Sequence, residues 1–285
     1  MAKTDESTRY AFPLVLPADP LKRRIGCTLG RFVLFLRPGL EQAFLKGEQA
    51  EGRWERFALQ AVVDRYERTG NTAGIAQLQQ HYWTTSNVVA YHHLVEERFA
   101  TVFKGAHYGI VDQLVGAATE AGATTLCEIG CGSGLVLAHF AEKAPGLQRL
   151  IGIDLSPQQV AVNEQRYRDP RLSFVATDAI AWLTEKAAPH WSYLSYGGVL
   201  EYIPQDRLAA FFQALGKRRP AVFGIVEPIA DTFDPEKETT SVRFGAERTL
   251  SHPYVRMFTE AGFGILWRQE VRVEGMRFLM LVARA

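Results

Sequence analysis

The sequence predicts an α/β fold in which a mainly parallel sheet, covered by helices on both faces, follows an α-helical N-terminal region. Three observations lead to this prediction. A helical pattern runs from Leu21 to about Leu114, short apolar runs then alternate with amphipathic segments, and two final strand-like runs are separated only by Glu274 and Gly275. We therefore expect a doubly wound sheet whose last strand is antiparallel, preceded by a helical cap.

The N-terminal region is expected to begin as an irregular arm, because residues 1 to about 20 contain three prolines and few periodic apolar positions. Breaks at Arg37–Gly39 and Arg68–Gly74 divide the helical pattern that follows into four or five helices. The segment "RFVLFLRPGL" is too short and too charged to span a membrane, so we interpret it as a core or cap element. A second segment places most of its large apolar residues on one helical face: Trp54, Phe57, Leu59, Val62, Val63 and Tyr66.

Five strands of the parallel sheet are predicted from continuous apolar runs of five to eight residues, which are typical of strands buried on both faces. The runs span Leu126–Gly130, Arg149–Leu155, Leu172–Asp178, Trp191–Gly197 and Ala221–Pro228. Between the fifth strand and the last helix, residues 231–248 are polar and aperiodic, and this pattern predicts an irregular substrate-side lid. The C-terminal runs 263–273 and 276–285 predict the antiparallel hairpin.

Composition excludes several classes of protein. The chain has 285 residues, 47% of them hydrophobic and 22% charged, which is ordinary for a globular protein. A net charge of +1 argues against a protein that depends on neutralising nucleic-acid phosphates or a membrane surface. The three cysteines do not form a disulfide framework, and the N-terminus has no secretory signal, so we expect a cytoplasmic protein.

Three features at successive strand ends point to a ligand site. Gly130, Gly132 and Gly134 lie between the first strand and a helix, where a backbone without side chains allows tight turning and close approach of a ligand. Asp154 ends the second strand, at a spacing that suits a carboxylate bonding to ribose hydroxyls. Asp178 ends the third strand. Each aspartate alone is also typical of a helix cap or a turn.

The loop "EIGCGSG" does not follow the G-x-G-x-x-G spacing of nicotinamide-dinucleotide readers, and no Lys-Ser or Lys-Thr pair closes it as in a P-loop. Glu128, two residues before the first glycine, suits a ligand that carries an amine and no phosphate. At this point "CEIGCGSG", "IGIDLSP", "FVATDA" and "GGVLEYIP" resemble the class I S-adenosylmethionine-dependent methyltransferases, over about residues 105–285.

The resemblance implies a seven-stranded sheet with an antiparallel C-terminal strand and S-adenosyl-L-methionine as the cofactor. It also implies which residues contact this cofactor. The loop and Glu128 would hold the methionine part, and the strand ends would hold ribose, adenine and the region of the methyl group. The residues concerned are Glu128, Gly130, Cys131, Gly132, Gly134, Asp154, Leu155, Asp178, Ala179, Ile180, Tyr196 and Gly197.

Candidate bases are Glu201, His92 and His252, with His93 and His107 as further histidines; a base is needed only if the acceptor must lose a proton. Of the aromatic residues before the core, we expect Tyr82 or Tyr91 to reach the pocket, because aromatic walls exclude water and face a sulfonium favourably. Cys127 and Cys131 lack a second pair or a nearby histidine pattern, so no metal site is expected.

The domains are expected to be residues 1–104, an arm and helical cap that encloses the substrate, and residues 105–285, the cofactor-binding core. We predict an S-adenosylmethionine-dependent methyltransferase with a small-molecule acceptor, in specialised metabolite biosynthesis, without nucleic-acid or membrane partners and as a possible homodimer. The alternatives are a peptide or protein methyltransferase, a non-catalytic S-adenosylmethionine-binding protein, and a nicotinamide-dependent dehydrogenase, against which the glycine spacing argues.

Overall fold

The computed structural model of the chain describes residues 16–285 apart from Ala18, Ser86 and Ala246, so most of the predicted N-terminal arm lies outside the described residues. The chain forms two compact units. The first runs to Asn87 and also includes Arg243–Thr249, and the second comprises Val88–Val242 and Leu250–Ala285. The predicted division after residue 104 remains a prediction.

The described residues of the first unit form four complete α-helices: α1 (Pro20–Leu36), α2 (Leu40–Leu45), α3 (Arg53–Thr69) and α4 (Thr72–Trp83). Helix α1 begins where the Asp19 carboxylate accepts hydrogen bonds from the N–H groups of Leu21 and Lys22. It packs so closely along α3 that a Cβ atom on Gly30 would lie only 1.9 Å from the carbonyl oxygen of Phe57. Only glycine allows this approach.

One expectation for these helices is wrong, and another holds in part. Trp54 does not share the buried face of α3, since 59% of it is exposed, whereas Leu59, Val62, Val63 and Tyr66 are buried as predicted. The "RFVLFLRPGL" segment is a core element only at Val33 and Leu40, while Phe32, Phe35 and Leu36 are exposed. The face of α1 that packs inward is made of small residues instead: Gly26, Cys27 and Gly30.

The segment Arg243–Thr249 joins the first unit through polar contacts. The Gln79 side-chain amide donates to the carbonyl oxygen of Glu247 at 3.0 Å. Arg248 forms an ion pair with Glu67, whose other oxygen bonds to Arg23 at 2.8 Å. Strand β6 (Val242–Phe244) pairs with β7 (Thr249–Ser251), so the prediction that residues 231–248 are wholly irregular is wrong at their end.

Helix α5 (Asn87–Glu96) starts at the last residue of the first unit and lies otherwise in the second. The second unit continues with a π-helix (Phe99–Ala106) and α6 (Gly109–Glu120), followed by the sheet. The region before the sheet therefore holds more helical segments than the four or five predicted. The remaining helices are α7 (Leu135–Lys143), α8 (Pro157–Arg166), α9 (Ala179–Lys186), α10 (Gln205–Gly216) and α11 (Tyr254–Glu260). The strands of the sheet are β1 (Thr125–Ile129), β2 (Arg149–Asp154), β3 (Leu172–Ala176), β4 (Trp191–Tyr196), β5 (Ala221–Ile229), β8 (Gly264–Val273) and β9 (Met276–Arg284).

The sheet has seven strands in the order β3-β2-β1-β4-β5-β9-β8. Strands β1 to β5 pair in parallel, and β9 runs antiparallel to both β5 and β8. The predicted fold class is confirmed. Because the chain leaves β1 in one direction and later returns to its other side as β4, the carboxyl ends of these two strands border the crevice where open α/β sheets bind ligands.

Helices cover both faces of the sheet, as the continuous apolar strands predicted. Every residue of β1 and β5 is buried. One core joins the sheet to α9, α10 and α11 and contains Tyr193, Phe223 and Phe258, while the other joins it to α6, α7 and α8. Within the described part of the chain, no helix combines the length and the apolar content that crossing a membrane requires.

Candidate functional site

The loop between β1 and α7 folds back onto the end of β2. The N–H groups of Gly130 and Cys131 both donate to the carbonyl oxygen of Ile153, at 2.7 and 3.0 Å. Gly132 follows with φ +47°, in the left-handed region that side chains disfavour. The loop thus lies at the carboxyl edge of the sheet, beside the point where the strand order reverses.

Side chains of the same chain approach this loop closely. A Cβ atom on Gly132 would lie 2.8 Å from two atoms of the His92 imidazole, and one on Gly134 would lie 2.8 Å from the Tyr167 ring. A Cβ atom on Gly130 would meet Val199 at 2.6 Å. The glycines are therefore required by internal packing, whether or not a ligand also approaches them.

Residues of helix α8 and of its C-terminal end bond to the glycine loop. The side-chain amide of Asn163, a fully buried residue, donates to the carbonyl oxygen of Gly132 at 2.7 Å and accepts from Gln159 at 2.9 Å. The Tyr167 hydroxyl donates to the carbonyl oxygen of Ser133 at 2.9 Å. Since both carbonyl groups are bonded from the α8 side, the loop has a fixed conformation. These residues were not predicted from the sequence; the one available signal was that Gln159 and Asn163 fall four residues apart on the apolar face of α8.

Asp154 lies at the centre of this arrangement and is 8% exposed. One of its carboxylate oxygens accepts from the N–H of Gly132 and the other from the N–H of Ser156, both at 2.9 Å. Asp154 therefore does stabilise the turn that follows it, as the turn alternative predicted, through the bond from Ser156. Each carboxylate oxygen has a second lone pair, so the group can still accept hydrogen bonds from ligand hydroxyls.

Glu128 is the second buried carboxyl group of the site. Its Oε2 atom has no hydrogen-bond partner among the described residues, although the carboxyl group accepts a hydrogen bond from the N–H of Leu137. Burial raises the pKa of Glu128 well above its ordinary value, and the nearby Asp154 charge raises it further. An unpartnered buried carboxyl oxygen is expensive to maintain, so this atom suits a cationic donor such as an ammonium group.

Asp178 follows β3, next to the end of β2, where the N–H of Thr177 donates to the carbonyl oxygen of Asp154 at 2.9 Å. Its side chain caps α9 by accepting from the N–H of Ala181 at 3.0 Å, and it pairs with Arg207 at 2.7 Å. Leu155 lies in the turn after β2, and Ala179 and Ile180 begin α9, with Ile180 packed into the core. The structure thus gives Asp178 the helix-cap role that was the alternative for it, and its contact with adenine stays a prediction.

Tyr196 ends β4 on the same face of the sheet as Glu128. Its hydroxyl is 3.1 Å from Nδ1 of His107, a residue that is 1% exposed. Burial lowers the pKa of His107 to about 4, so the imidazole is neutral near pH 7. The next residue, Gly197, is exposed and has φ +83°. A Cβ atom there would meet nothing within 4 Å, so this turn leaves open space beside the predicted methyl position.

Glu227, near the end of β5, organises this turn and was not singled out from the sequence. The residue is fully buried, and its Oε1 atom accepts from the Ser195 hydroxyl at 2.5 Å and from the N–H groups of Val199 and Leu200 at 3.3 Å. Its Oε2 atom has no partner within the described part of the chain. Burial raises the pKa of Glu227 to about 7, although these hydrogen bonds oppose the shift. A lone glutamate inside the apolar run "AVFGIVEP" was the available signal.

The candidate bases have different surroundings. Glu201 is buried next to the open turn, since its Oε1 atom lies 2.5 Å from where Gly198 would carry a Cβ atom. His92 lies against the glycine loop, and burial lowers its pKa, an effect that the Asp154 charge opposes. His93 is exposed on α5 and lies 4.0 Å from Glu96.

His252 is fully buried, and both of its ring nitrogens already have partners. Nδ1 lies 2.6 Å from the Ser241 hydroxyl and Nε2 lies 3.2 Å from the carbonyl oxygen of Leu200. Burial lowers its pKa to about 4. This placement favours a structural role for His252, so Glu201 and His92 are the stronger candidates for a base.

The two predicted aromatic residues of the cap are placed in different units. Tyr82 belongs to the first unit, where its ring meets Trp83 edge-on. Tyr91 belongs to α5 in the second unit and meets His92 in the same way. Their contact with a cofactor stays a prediction.

Comparison with known proteins agrees with this geometry. Residues 126–218, from β1 to just beyond α10, match the family model described as a methyltransferase domain. These residues form a methyltransferase domain. A curated relative, trans-aconitate 2-methyltransferase of Methylobacterium radiotolerans, is 32% identical over 101 residues, which are 35% of this chain and 33% of the relative. The match therefore spans about a third of the length of that relative.

Solved structures share the fold around the methyltransferase domain. Magnesium protoporphyrin IX methyltransferase from Synechocystis PCC 6803, solved with bound S-adenosylmethionine, has a TM-score of 0.53 and 14% identity, covering 74% of this chain and 96% of that one. A 1,6-didemethyltoxoflavin-N1-methyltransferase from Burkholderia thailandensis, solved with S-adenosylhomocysteine, has a TM-score of 0.50 and 21% identity, covering 70% and 85%. The family match over residues 126–218 and the strand order both agree with the predicted class I S-adenosylmethionine-dependent methyltransferase core.

Proposed function

We propose that this protein transfers a methyl group from S-adenosyl-L-methionine to a small-molecule acceptor. The observation that carries the proposal is the pair of buried carboxyl groups, Glu128 and Asp154, beside a rigid glycine loop at the carboxyl edge of the sheet. The curated relative and the two solved neighbours support a small acceptor, because their names refer to trans-aconitate, magnesium protoporphyrin and didemethyltoxoflavin. A role in specialised biosynthesis, in the cytoplasm, is part of this proposal, as is the expectation of no nucleic-acid partner at a net charge of +1.

The site fits the cofactor chemically. When bound, S-adenosylmethionine supplies a methyl group already activated by a sulfonium. Oε2 of Glu128 would accept from its ammonium group, and the unused lone pairs of Asp154 would accept from the ribose hydroxyls. An ammonium beside Glu128 favours the ionised carboxylate, so it offsets the effect of burial on that pKa.

The chain's own residues would then position the acceptor and exclude water. Val199 and His92 cover Gly130 and Gly132, and Glu227 holds the turn that follows Tyr196. Positioning of this kind is worth roughly 7 to 11 kcal/mol when the reacting atoms are well aligned. If the acceptor must lose a proton, Glu201 is the best-placed group to receive it, because its carboxyl lies against the open turn.

The test is calorimetry with S-adenosylhomocysteine. Glu128→Gln and Asp154→Ala should each weaken binding at least about tenfold, because each removes a charge-assisted hydrogen bond worth roughly 1.5 to 3 kcal/mol. Glu142→Gln is a matched control, since Glu142 lies on α7 with its side chain 76% exposed. Unchanged affinity in both site variants would refute the assignment. If the protein binds S-adenosylmethionine but forms no S-adenosylhomocysteine with any acceptor in a panel of acids, amines and phenols, the non-catalytic alternative is favoured.

A further inference from the structure

Helix α1 has a second apolar face that points away from α3. Five large side chains on it are between 52% and 80% exposed. At 100° per residue they fall on one side of the helix, opposite the face that packs through Gly26, Cys27, Gly30 and Val33. The exposed residues are Leu21, Ile25, Phe32, Phe35 and Leu36.

These side chains share one face of α1, on which the exposed Thr28 separates Ile25 from Phe32, unlike the isolated apolar residues common on protein surfaces. Trp54 extends it in the same unit: it is 59% exposed, and its neighbour Glu55 pairs at 2.8 Å with Arg37, directly after Phe35 and Leu36 at the end of α1. Apolar patches rimmed by polar residues mark binding surfaces for proteins or membranes. The charges around the patch distinguish these two possibilities.

Helix α1 carries only positive charge. It contains Lys22, Arg23, Arg24 and Arg31 and no acidic residue. Arg23 points towards α3, where it bonds to Asp64 and Glu67. The other three are exposed, although Arg31 also pairs with Asp64 at 3.6 Å. On the helical wheel Lys22 borders the apolar face on one side, and Arg24 and Arg31 border it on the other. The patch is therefore apolar at its centre and cationic at both margins.

We propose that α1 anchors this protein at the surface of a membrane that contains anionic lipid. An interfacial helix places apolar side chains at the boundary between headgroups and acyl chains, while basic residues at its margins contact lipid phosphates. A second copy of the chain fits less well, because packing two such faces together would bring the cationic margins of both helices close to each other. The expectation of no membrane partner rested on the net charge of +1 and on the lack of an apolar stretch long enough to span a bilayer. Neither observation excludes a local basic patch, and α1 alone carries four basic residues and no acidic one.

The test is co-sedimentation of the full chain with vesicles, either of phosphatidylcholine alone or of phosphatidylcholine mixed with phosphatidylserine. We expect binding to the mixed vesicles that weakens as salt is added, and little binding to the neutral ones. The double variant Phe32→Ser/Phe35→Ser should lower the partition coefficient at least about tenfold. Lys22→Gln/Arg24→Gln should lower it by about fivefold for each residue.

Leu266→Ser is the matched control, because Leu266 is 45% exposed on β8 of the second unit and should not affect vesicle binding. All substituted side chains are exposed, so circular dichroism and the affinity for S-adenosylhomocysteine should stay unchanged in every variant. Equal sedimentation of the wild type and the Phe32/Phe35 variant would overturn the proposal. A dimer that forms without lipid and that the same variant dissociates would also overturn it, because this result assigns the face to a second copy. Vesicle binding that appears only after residues 1–15 are removed would do so too, because it assigns the face to that segment.

Discussion

Replacing Glu227 by glutamine should stabilise the protein above neutral pH while changing little in mild acid. Burial raises the pKa of Glu227 to about 7 from an ordinary value near 4.5, so the folded state holds its proton more tightly than the unfolded chain does. The stabilisation from the protonated group is therefore fully present below about pH 4.5 and is lost as the pH rises through about 7.

The size of the effect follows from these two values. Between 4.5 and about 7, at about 1.4 kcal/mol for each pH unit, the free energy of unfolding of the wild type falls by about 3 kcal/mol because of this one group. Glutamine stays neutral and keeps an oxygen that can accept from Ser195, Val199 and Leu200. Glu227→Gln should therefore unfold with nearly the wild-type free energy near pH 5 and with about 3 kcal/mol more near pH 8.

Urea unfolding followed by circular dichroism at both pH values measures this difference. Comparing the two proteins at each pH cancels the contribution of all other titrating groups. Glu185→Gln serves as the control, because that side chain is 73% exposed and should show no such dependence. If Glu227→Gln differs from the wild type by the same amount at both pH values, or is the less stable protein near pH 8, the carboxyl is ionised in the folded state and the reasoning fails.

Two further variants test the glycine loop. Gly132→Ala should destabilise the protein by about 1–2 kcal/mol and weaken S-adenosylhomocysteine binding, because alanine would be strained at φ +47° and its Cβ atom would meet the His92 imidazole. Thermal unfolding measures the first effect and calorimetry the second. Neither should show a loss for Gly146→Ala, where a Cβ atom has free space. Asn163→Leu should lower the free energy of unfolding by about 2–4 kcal/mol, because the carbonyl of Gly132 and the amide of Gln159 would lose their partner. A urea midpoint for Asn163→Leu equal to that of Glu164→Ala would contradict the role given to α8.

The parts of the fold and site that the sequence predicts are those encoded by local pattern. The strand at Thr125–Ile129, the loop after it and Asp154 were all predictable, because apolar runs and closely spaced glycines constrain the backbone within a few residues. The pattern also predicted the C-terminal hairpin, since only Glu274 and Gly275 separate its strands.

Contacts between distant residues were not predictable in this way. The roles of Asn163 and Glu227 depend on which polar atom faces them across the packed core, and no spacing rule specifies that. Asp178 matches a ligand-binding pattern and a helix-cap pattern equally well, and the position of Arg207 on another helix decides its ion pair. Likewise, the hydropathy of α1 could not show which of its two apolar faces packs on α3, because glycines at Gly26 and Gly30 allow the closer approach.

The return of Arg243–Thr249 to the first unit has a consequence for recombination between related genes. The unit is discontinuous in sequence, so a single crossover after Asn87 would transfer Glu67 and Gln79 but leave behind Arg248 and Glu247, to which they bond. A chimera made in that way would keep the bond from Arg23 to Glu67, but it would depend on the other parent for a cation at position 248 and for the position of the backbone carbonyl that Gln79 reaches. Exchanging this unit as a module requires two junctions, so its sequence is constrained together with that of the second unit more closely than a simple N-terminal extension would be.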